Sequence, residues 1–376
     1  MSDLPQPDRV DGAPHPRETS QVIGHDAAAA SFLDSFSSGR MHHAWMLQGP
    51  RGIGKASFAY QIARFLIATP PLDDGGMFGA PEPPTSLHIA DDHPVARRIL
   101  AGSDPSLFVL RRAVDDKDNT KLKTVITVDE ARKLKEFLSL SATDGATRVV
   151  IVDAADEMNI QTANAILKVL EEPPANTVFL LICHQPSKLL PTIRSRCRTL
   201  NLSRLNPQDM ERALRAANVP LPADTHHLTT LSDGSVGEAL RLINLGGLDT
   251  YADLVDLLQN APGLDRGRLL KMAEGMVGRG KAPKFELFLG QIDVLLSRIA
   301  RAGLMGPPEA EAAPREASLL VRLCASPHAA REWAGLQQEI GARLRHGRAV
   351  NLDPAALVLD TGLKIDQAAA RLAAKR

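Results

Sequence analysis

The sequence predicts an α/β protein: a parallel sheet with helices on both faces, followed by a helical remainder. Three observations lead there. Short apolar runs alternate with helix-periodic stretches from Val22 to about Leu202, the pattern of a doubly wound sheet. The run GPRGIGKA, Gly49 to Ala56, stands between an apolar strand-like segment and a helical repeat, the context that makes a glycine-rich phosphate loop credible. Beyond residue 203 only the helical period recurs.

Each element has its own signal. Residues 1–18, MSDLPQPDRVDGAPHPRE, are rich in Pro and charge and read as a disordered tail without an apolar signal core. The α/β domain is placed at 19–203. Val22 to Phe36 is helical in pattern, and Ala44 to Leu47 is a buried strand feeding the glycine loop. Phe58, Ile62, Phe65 and Leu66 then recur at helical spacing. Residues 69–105 are dense in Pro, Gly and Asp, and read as an exposed insertion with one short helix around Val95 to Leu100. Leu107 to Leu110 and Val125 to Val128 are strand candidates, and a helix from Asp129 puts Leu134, Phe137 and Leu138 on one face. The unbroken apolar run Arg148 to Val152 marks a central parallel strand. Ala163, Ile166, Leu167 and Leu170 form a helix stopped by Pro173-Pro174. Val178 to Ile182 is another buried strand, and Leu200 to Leu202 the last. A small helical domain is expected over 204–247 and a larger one over 248–376. The clearest helix of the larger one is Phe285 to Ile299, and the linker Gly303 to Pro314 divides it.

Composition narrows the function. A chain of 376 residues fits two or three domains. Only 4% of residues are aromatic, which argues against single-strand binding by stacked bases. Lys and Arg number 44, as do Asp and Glu, so the zero net charge is not that of a general polyanion binder. Cys183, Cys197 and Cys324 form no CxxC pair. The sparse, odd set suits a reducing cytoplasm rather than a zinc site, and Cys183 and Cys197 read as buried thiols. No run of about 18 apolar residues suggests a membrane span. His88, Asp91, Asp92 and His93 could approach a metal, but read better as solvated loop residues.

The chemistry concentrates in three segments. In the phosphate loop, Gly49, Gly52 and Gly54 leave room for the backbone, the N–H groups of Gly52 to Lys55 would wrap phosphate oxygens, and Lys55 would approach the outer phosphates. Ala56 stands where Ser or Thr would ligate magnesium, and Ser57 is one position out of register. Asp153 ends a buried strand as a Walker B aspartate does, but Ala154 follows where a water-orienting Glu is needed. Asp156 and Glu157 read as charges capping the next helix. In LPTIRSRC and the residue after it, Arg194, Arg196 and Arg198 alternate through a short extended or turn segment, an alternation that would put them on one side. Residues alone leave open whether these arginines are surface charge, pair with a carboxylate, or act on a ligand.

From Val22 to about Leu202 the chain resembles the bacterial clamp-loader family of AAA+ proteins, most closely its delta-prime members. The carriers are HHAW, the GKA loop, NAILKVLEEPP and the RSRC end. The resemblance implies an AAA+ P-loop domain, a small helical lid domain and a C-terminal helical collar domain. It implies that Arg196, flanked by Ser195 and Cys197, is an arginine finger acting in trans on a neighbour's ATP. Cys183-His184 takes the place of sensor 1. Gly234-Ser235-Val236-Gly237 takes that of sensor 2, with Gly237 where active members carry Arg. The missing magnesium hydroxyl, catalytic Glu and sensor Arg together imply a subunit without ATPase activity of its own, for which ATP and magnesium binding is doubtful. The family's cysteine zinc module would fall in the insertion; no cysteine is there, so no zinc is expected. Implied partners are the gamma/tau ATPase subunits and the delta subunit, with the sliding clamp and primed DNA reached through the complex, and no membrane. The competing expectations are an active gamma/tau-like AAA+ ATPase or remodeller, and a pure scaffold.

Overall fold

A computed structural model describes residues 5–7, 9–10, 12–69, 82–139 and 147–374. Two compact units form. The first runs to Pro220 and takes in Gly234–Gly237; the second holds Leu221–Asp233 and the chain from Glu238 onward.

Five strands make the sheet of the first unit: β1 (Ala44–Gln48), β2 (Leu107–Arg111), β3 (Arg148–Asp153), β4 (Thr177–Cys183) and β5 (Arg198–Asn201). Their order is β2-β3-β4-β1-β5 and every pairing is parallel. The helices are α1 (Asp26–Ser37), α2 (Lys55–Ala68), α3 (Pro94–Ala101), α4 (Val128–Ser139), α5 (Ile160–Glu171), α6 (Pro191–Arg194) and α7 (Pro207–Ala216). This is the parallel sheet with helices on both faces that the sequence predicts. All seven residues of β4 are buried, as a strand must be when helices cover both faces. Side chains alternate across the pleat. Val149, Ile151, Leu180 and Ile182 pack with Phe32, Phe58 and Phe65, whereas Val150, Val152, Phe179 and Leu181 pack with Leu134, Ile166 and Leu170. Trp45 is fully buried against Phe32, ring centroids 5.0 Å apart, and donates its indole N–H to His42 O.

Two expectations change in the first unit. Residues 15–18 are not tail: His15 and Pro16 are buried, and Pro16–Glu18 form a 3-10 turn. Local polar contacts order it despite its small apolar area. His15 Nδ1 accepts from Arg17 N, Glu18 accepts from His15 N, and Arg64 of α2 donates to Arg17 O and Thr19 O at 2.8 and 2.7 Å. Val125–Val128 is not a strand. Ile126 makes a single bridge to Met158, while Thr127 O accepts from Glu130 N and Ala131 N as α4 begins. Asp129 and Glu130 in the first turn favour that start. The insertion's short helix is α3; His93 caps it by accepting from Val95 N, which gives that histidine a structural task. Residues 70–81 of the insertion lie outside the described residues.

The second unit is helical: α8 (Thr225–Leu231), α9 (Val236–Asn244, its first two residues counted with the first unit), α10 (Gly247–Leu258), α11 (Arg266–Glu274), α12 (Ala282–Met305), α13 (Glu316–Leu323), α14 (Pro327–Ala349) and α15 (Pro354–Ala373). α12 packs along α14, and α11 along α15. No helix among the described residues is long and apolar enough to cross a membrane. The expected linker does not divide this unit: Gly303 to Met305 complete α12, and Ala312 and Ala313 are buried. A buried carboxylate holds the segment. Glu316, fully buried, accepts from Tyr251 Oη (2.6 Å), Arg298 Nε (2.6 Å), Arg298 NH2 (2.9 Å) and Ala312 N (2.5 Å).

Removing one partner of a buried ion pair leaves the other uncompensated. Glu316→Ala is therefore expected to destabilise the second unit by about 3–5 kcal/mol, read from urea unfolding. A loss below about 1 kcal/mol would contradict this role, since exposed pairs fall in that range.

Candidate functional site

β1 runs straight into the glycine loop, and Gly54 is the N-cap of α2. Lys55 is buried, and its ammonium turns back onto the loop, donating to Gly49 O at 2.8 Å and Pro50 O at 2.6 Å. Burial lowers its pKa to about 8, while the charges of Asp153 and Asp156 pull the other way. The GSVG segment clasps the same loop. Gly237 N donates to Gly52 O at 2.8 Å, and Ser235 Oγ donates to Arg51 O at 2.9 Å. Both glycines are required there. Gly52 has φ +80°, and a Cβ on it would collide with the Ser235 hydroxyl. A Cβ on Gly237 would stand 2.9 Å from Gly52 Cα, so the position of the implied sensor arginine has no room for a side chain without backbone movement.

The magnesium-binding elements do not fit a metal. Ala56 packs its methyl group against the core. The Ser57 hydroxyl is turned to Thr19 Oγ1 at 3.4 Å. Asp153 ends β3 in register with Arg111 of β2. Ala154 is 2% exposed within the apolar cluster that contains Ile53 and Phe58. The two acids after it do not cap α5, because Asn159 does so, accepting from Thr162 N. Asp156 instead accepts from His184 N (2.9 Å) and Gln185 N (3.1 Å), fixing the loop after β4, and Glu157 pairs with Arg112 at 2.7 Å. Among the described residues no group of three or more His, Cys, Asp or Glu could hold a metal ion.

Two histidines border the loop. His25 was not singled out by its sequence. It is buried, and its Nε2–H donates to Ile53 O at 2.7 Å. Its only sequence signal is its place immediately before α1 and two residues after Ile23. Burial lowers its pKa. Burial and the Lys55 charge hold His184 well below its ordinary value, at about 4. Cys183 beside it is pushed up to about 11 by burial.

Of the two forms open to it, the SRC segment takes the turn. α6 ends at Arg194, Ser195 Oγ donates to Thr192 O at 3.0 Å, and Arg196 N donates to Ile193 O at 3.1 Å. Ile193 is fully buried and the half-buried Cys197 packs on the same apolar cluster. Burial raises the Cys197 thiol to about 12, which makes it an anchor and not a nucleophile. Arg196 NH1 donates to Thr192 O at 3.0 Å, and NH2 pairs with Glu171 at 2.9 Å. The three arginines do not share one side. Arg194 is exposed at the helix end, whereas Arg198 lies over the Trp45 ring, 5.1 Å from its centroid, and donates to Ser35 Oγ.

Topology separates the two chemical segments. β1 and β5 are parallel, with Trp45 opposite Arg198 and Gln48 opposite Asn201. The phosphate loop leaves the carboxyl end of β1, and Arg196 precedes the amino end of β5. They stand at opposite edges of the sheet, on the order of 10–15 Å apart along the strands at about 3.3 Å per residue.

Residues 24–206 match the family described as DNA polymerase III, delta subunit. The chain is 39% identical over 155 residues to the DNA polymerase III subunit delta' of Pseudomonas aeruginosa, which covers 41% of each chain. It is 32% identical over 210 residues to the delta' subunit of Escherichia coli, covering 55% of this chain and 56% of that one. It is also 27% identical to the gamma subunit of Buchnera aphidicola over 77% of this chain and 73% of that one. Among solved structures, a DNA polymerase III gamma subunit-related protein from Thermotoga maritima aligns at 16% identity and TM-score 0.42, covering 90% of this chain and 99% of that one. The match thus spans about half the length of the delta' relatives. By sequence, residues 24–206 are similar to DNA polymerase III delta and delta' subunits.

The buried histidines set a pH dependence. A histidine whose folded pKa lies below the unfolded value stays neutral in the fold while the unfolded chain takes up a proton. Stability is then lost as pH falls from about 6.5 toward 4. His25 and His184 both act in this sense, His184 by on the order of 1–2 kcal/mol at pH 5. The urea midpoint of the first unit should fall between pH 7 and 5, and His184→Gln should flatten the dependence. A midpoint that holds or rises on acidification would contradict it.

Proposed function

We propose that this chain is a catalytically silent subunit of a DNA polymerase III clamp loader, and that it offers Arg196 to ATP bound by a neighbouring subunit. The observation that carries the reading is the separation of Arg196 from the chain's own phosphate loop by the length of the sheet. An arginine there is of no use to a nucleotide on Lys55, but it is free to meet one brought by another molecule. A guanidinium supplied in trans neutralises the charge that develops on the transferred phosphoryl group. Its planar fork suits phosphate oxygens in a way an ammonium does not.

Silence follows from the loop. Lys55 is engaged by loop carbonyls, Ala56 supplies no metal ligand, Ala154 no acid and Gly237 no cation. The partners in this reading are a gamma/tau ATPase subunit, the delta subunit, and, through the complex, the sliding clamp and primed DNA. An active gamma/tau-like ATPase is the second reading, favoured by the longer alignment to the Buchnera gamma subunit. The same loop residues count against it.

The test is a loader reconstituted with wild-type or Arg196→Ala chain, assayed for DNA-stimulated ATP hydrolysis and clamp loading. Arg196→Ala should slow turnover at the facing site by about 10³- to 10⁵-fold, leave assembly intact, and be poorly rescued by Arg196→Lys. Equal activity would leave only a scaffold.

Restoring the missing groups should not restore catalysis. Ala56→Thr with Ala154→Glu lacks the sensor cation, and adding Gly237→Arg drives a side chain into Gly52. Turnover above wild-type background by the double or triple variant would show that the loop is open to ATP chemistry.

A further inference from the structure

Arg196 lies in a turn at the surface, yet its guanidinium is held in one orientation. NH1 donates to Thr192 O at 3.0 Å and NH2 to Glu171 Oε1 at 2.9 Å. A guanidinium has five N–H donors. Two are spent within the chain, and the other three stay available to phosphate oxygens from another molecule.

Both ends of the ion pair stand on fixed backbone. Glu171 is the last residue of α5, and that helix end is tied to the sheet: His43 Nε2–H donates to Leu170 O at 3.1 Å, across 127 residues of sequence. Leu170 itself is buried. On the other side, the turn bearing Arg196 hangs between Ile193, fully buried, and Cys197, packed on the core. The pair is exposed, 37% and 43% for the two side chains, and an exposed pair contributes little to stability. Its effect is on the conformational freedom of a long side chain, most of which would otherwise have to be given up on contact with a ligand.

We infer that Glu171, set in place by the His43–Leu170 hydrogen bond, is a positioning residue for Arg196. It pre-orders the guanidinium for a triphosphate presented by a neighbouring subunit. The inference rests on the trans-acting reading of Arg196 given above.

The experiment uses the complete reconstituted loader with its ATPase partners, clamp and primed DNA, and steady-state kinetics in ATP. The chains compared are wild type, Glu171→Ala, Glu171→Gln, Arg196→Ala, and the double variant Glu171→Ala with Arg196→Ala. Glu171→Ala should lower the Arg196-dependent part of kcat about two- to fivefold, the size of an exposed ion pair, with KM for ATP unchanged. Glu171→Gln, which keeps an acceptor, should recover part of the loss. In the double variant Glu171→Ala should add nothing to the loss caused by Arg196→Ala. An unchanged or raised kcat in Glu171→Ala, while Arg196→Ala is slow, overturns the inference and leaves the finger reading intact. Additive losses in the double variant also overturn it, because they assign Glu171 a separate structural role. Full activity of Arg196→Ala overturns the finger reading, and the inference with it.

Discussion

One constraint governs the chemistry of the first unit: its strands are parallel, so every strand presents the same end to the same edge. At the carboxyl edge, β1 gives the phosphate loop, β3 gives Asp153, and β4 gives Cys183 and His184. Ligand sites of open parallel sheets lie at that edge. At the amino edge stand His43, the end of α5 and the SRC turn. No local rearrangement brings Arg196 round to Lys55, because the buried strands between them form the core. The two edges are thus kept apart by the strand order, and an arginine at the amino edge is out of reach of the chain's own phosphate loop.

The carboxyl edge has been given over to internal contacts. Lys55 bonds to Gly49 O and Pro50 O, Gly237 N occupies Gly52 O, Ser235 Oγ occupies Arg51 O, and Asp156 is committed to the backbone of His184 and Gln185. Each contact is ordinary alone. Together they stitch the loop to the GSVG segment. Ala56 and Ala154 fit that arrangement, since internal contacts of this kind call for neither a metal ligand nor a water-orienting acid.

The sheet was legible because burial on both faces leaves long apolar runs. Arg148–Val152 and Val178–Ile182 announce β3 and β4, and Pro173-Pro174 closes α5. Val125–Val128 misled because a β-branched run does not record that Thr127 and two acids favour a helix start. Residues 15–18 misled because order there comes from two hydrogen bonds donated by Arg64 and from a local capping box, neither visible in composition. Among the candidate site residues, the glycine loop and Asp153 stood out by spacing, whereas Arg196 was singled out only by the family resemblance. Glu171 and Gly237's contact with Gly52 were not, because each partner lies far along the chain and meets only through the sheet. Alternation in LPTIRSRC suggested one arginine face. The turn instead divides the arginines among solvent, Glu171 and Trp45.

The central claim is that this chain contributes to ATP hydrolysis without performing it. The most direct measurement is the ATP turnover of the purified chain, alone and then mixed with its ATPase partner in the presence of clamp and primed DNA. The account predicts background turnover alone and, on mixing, stimulation of the partner beyond its own rate. Turnover by the isolated chain that is abolished by Lys55→Ala would contradict it, as would a mixture no faster than the partner by itself.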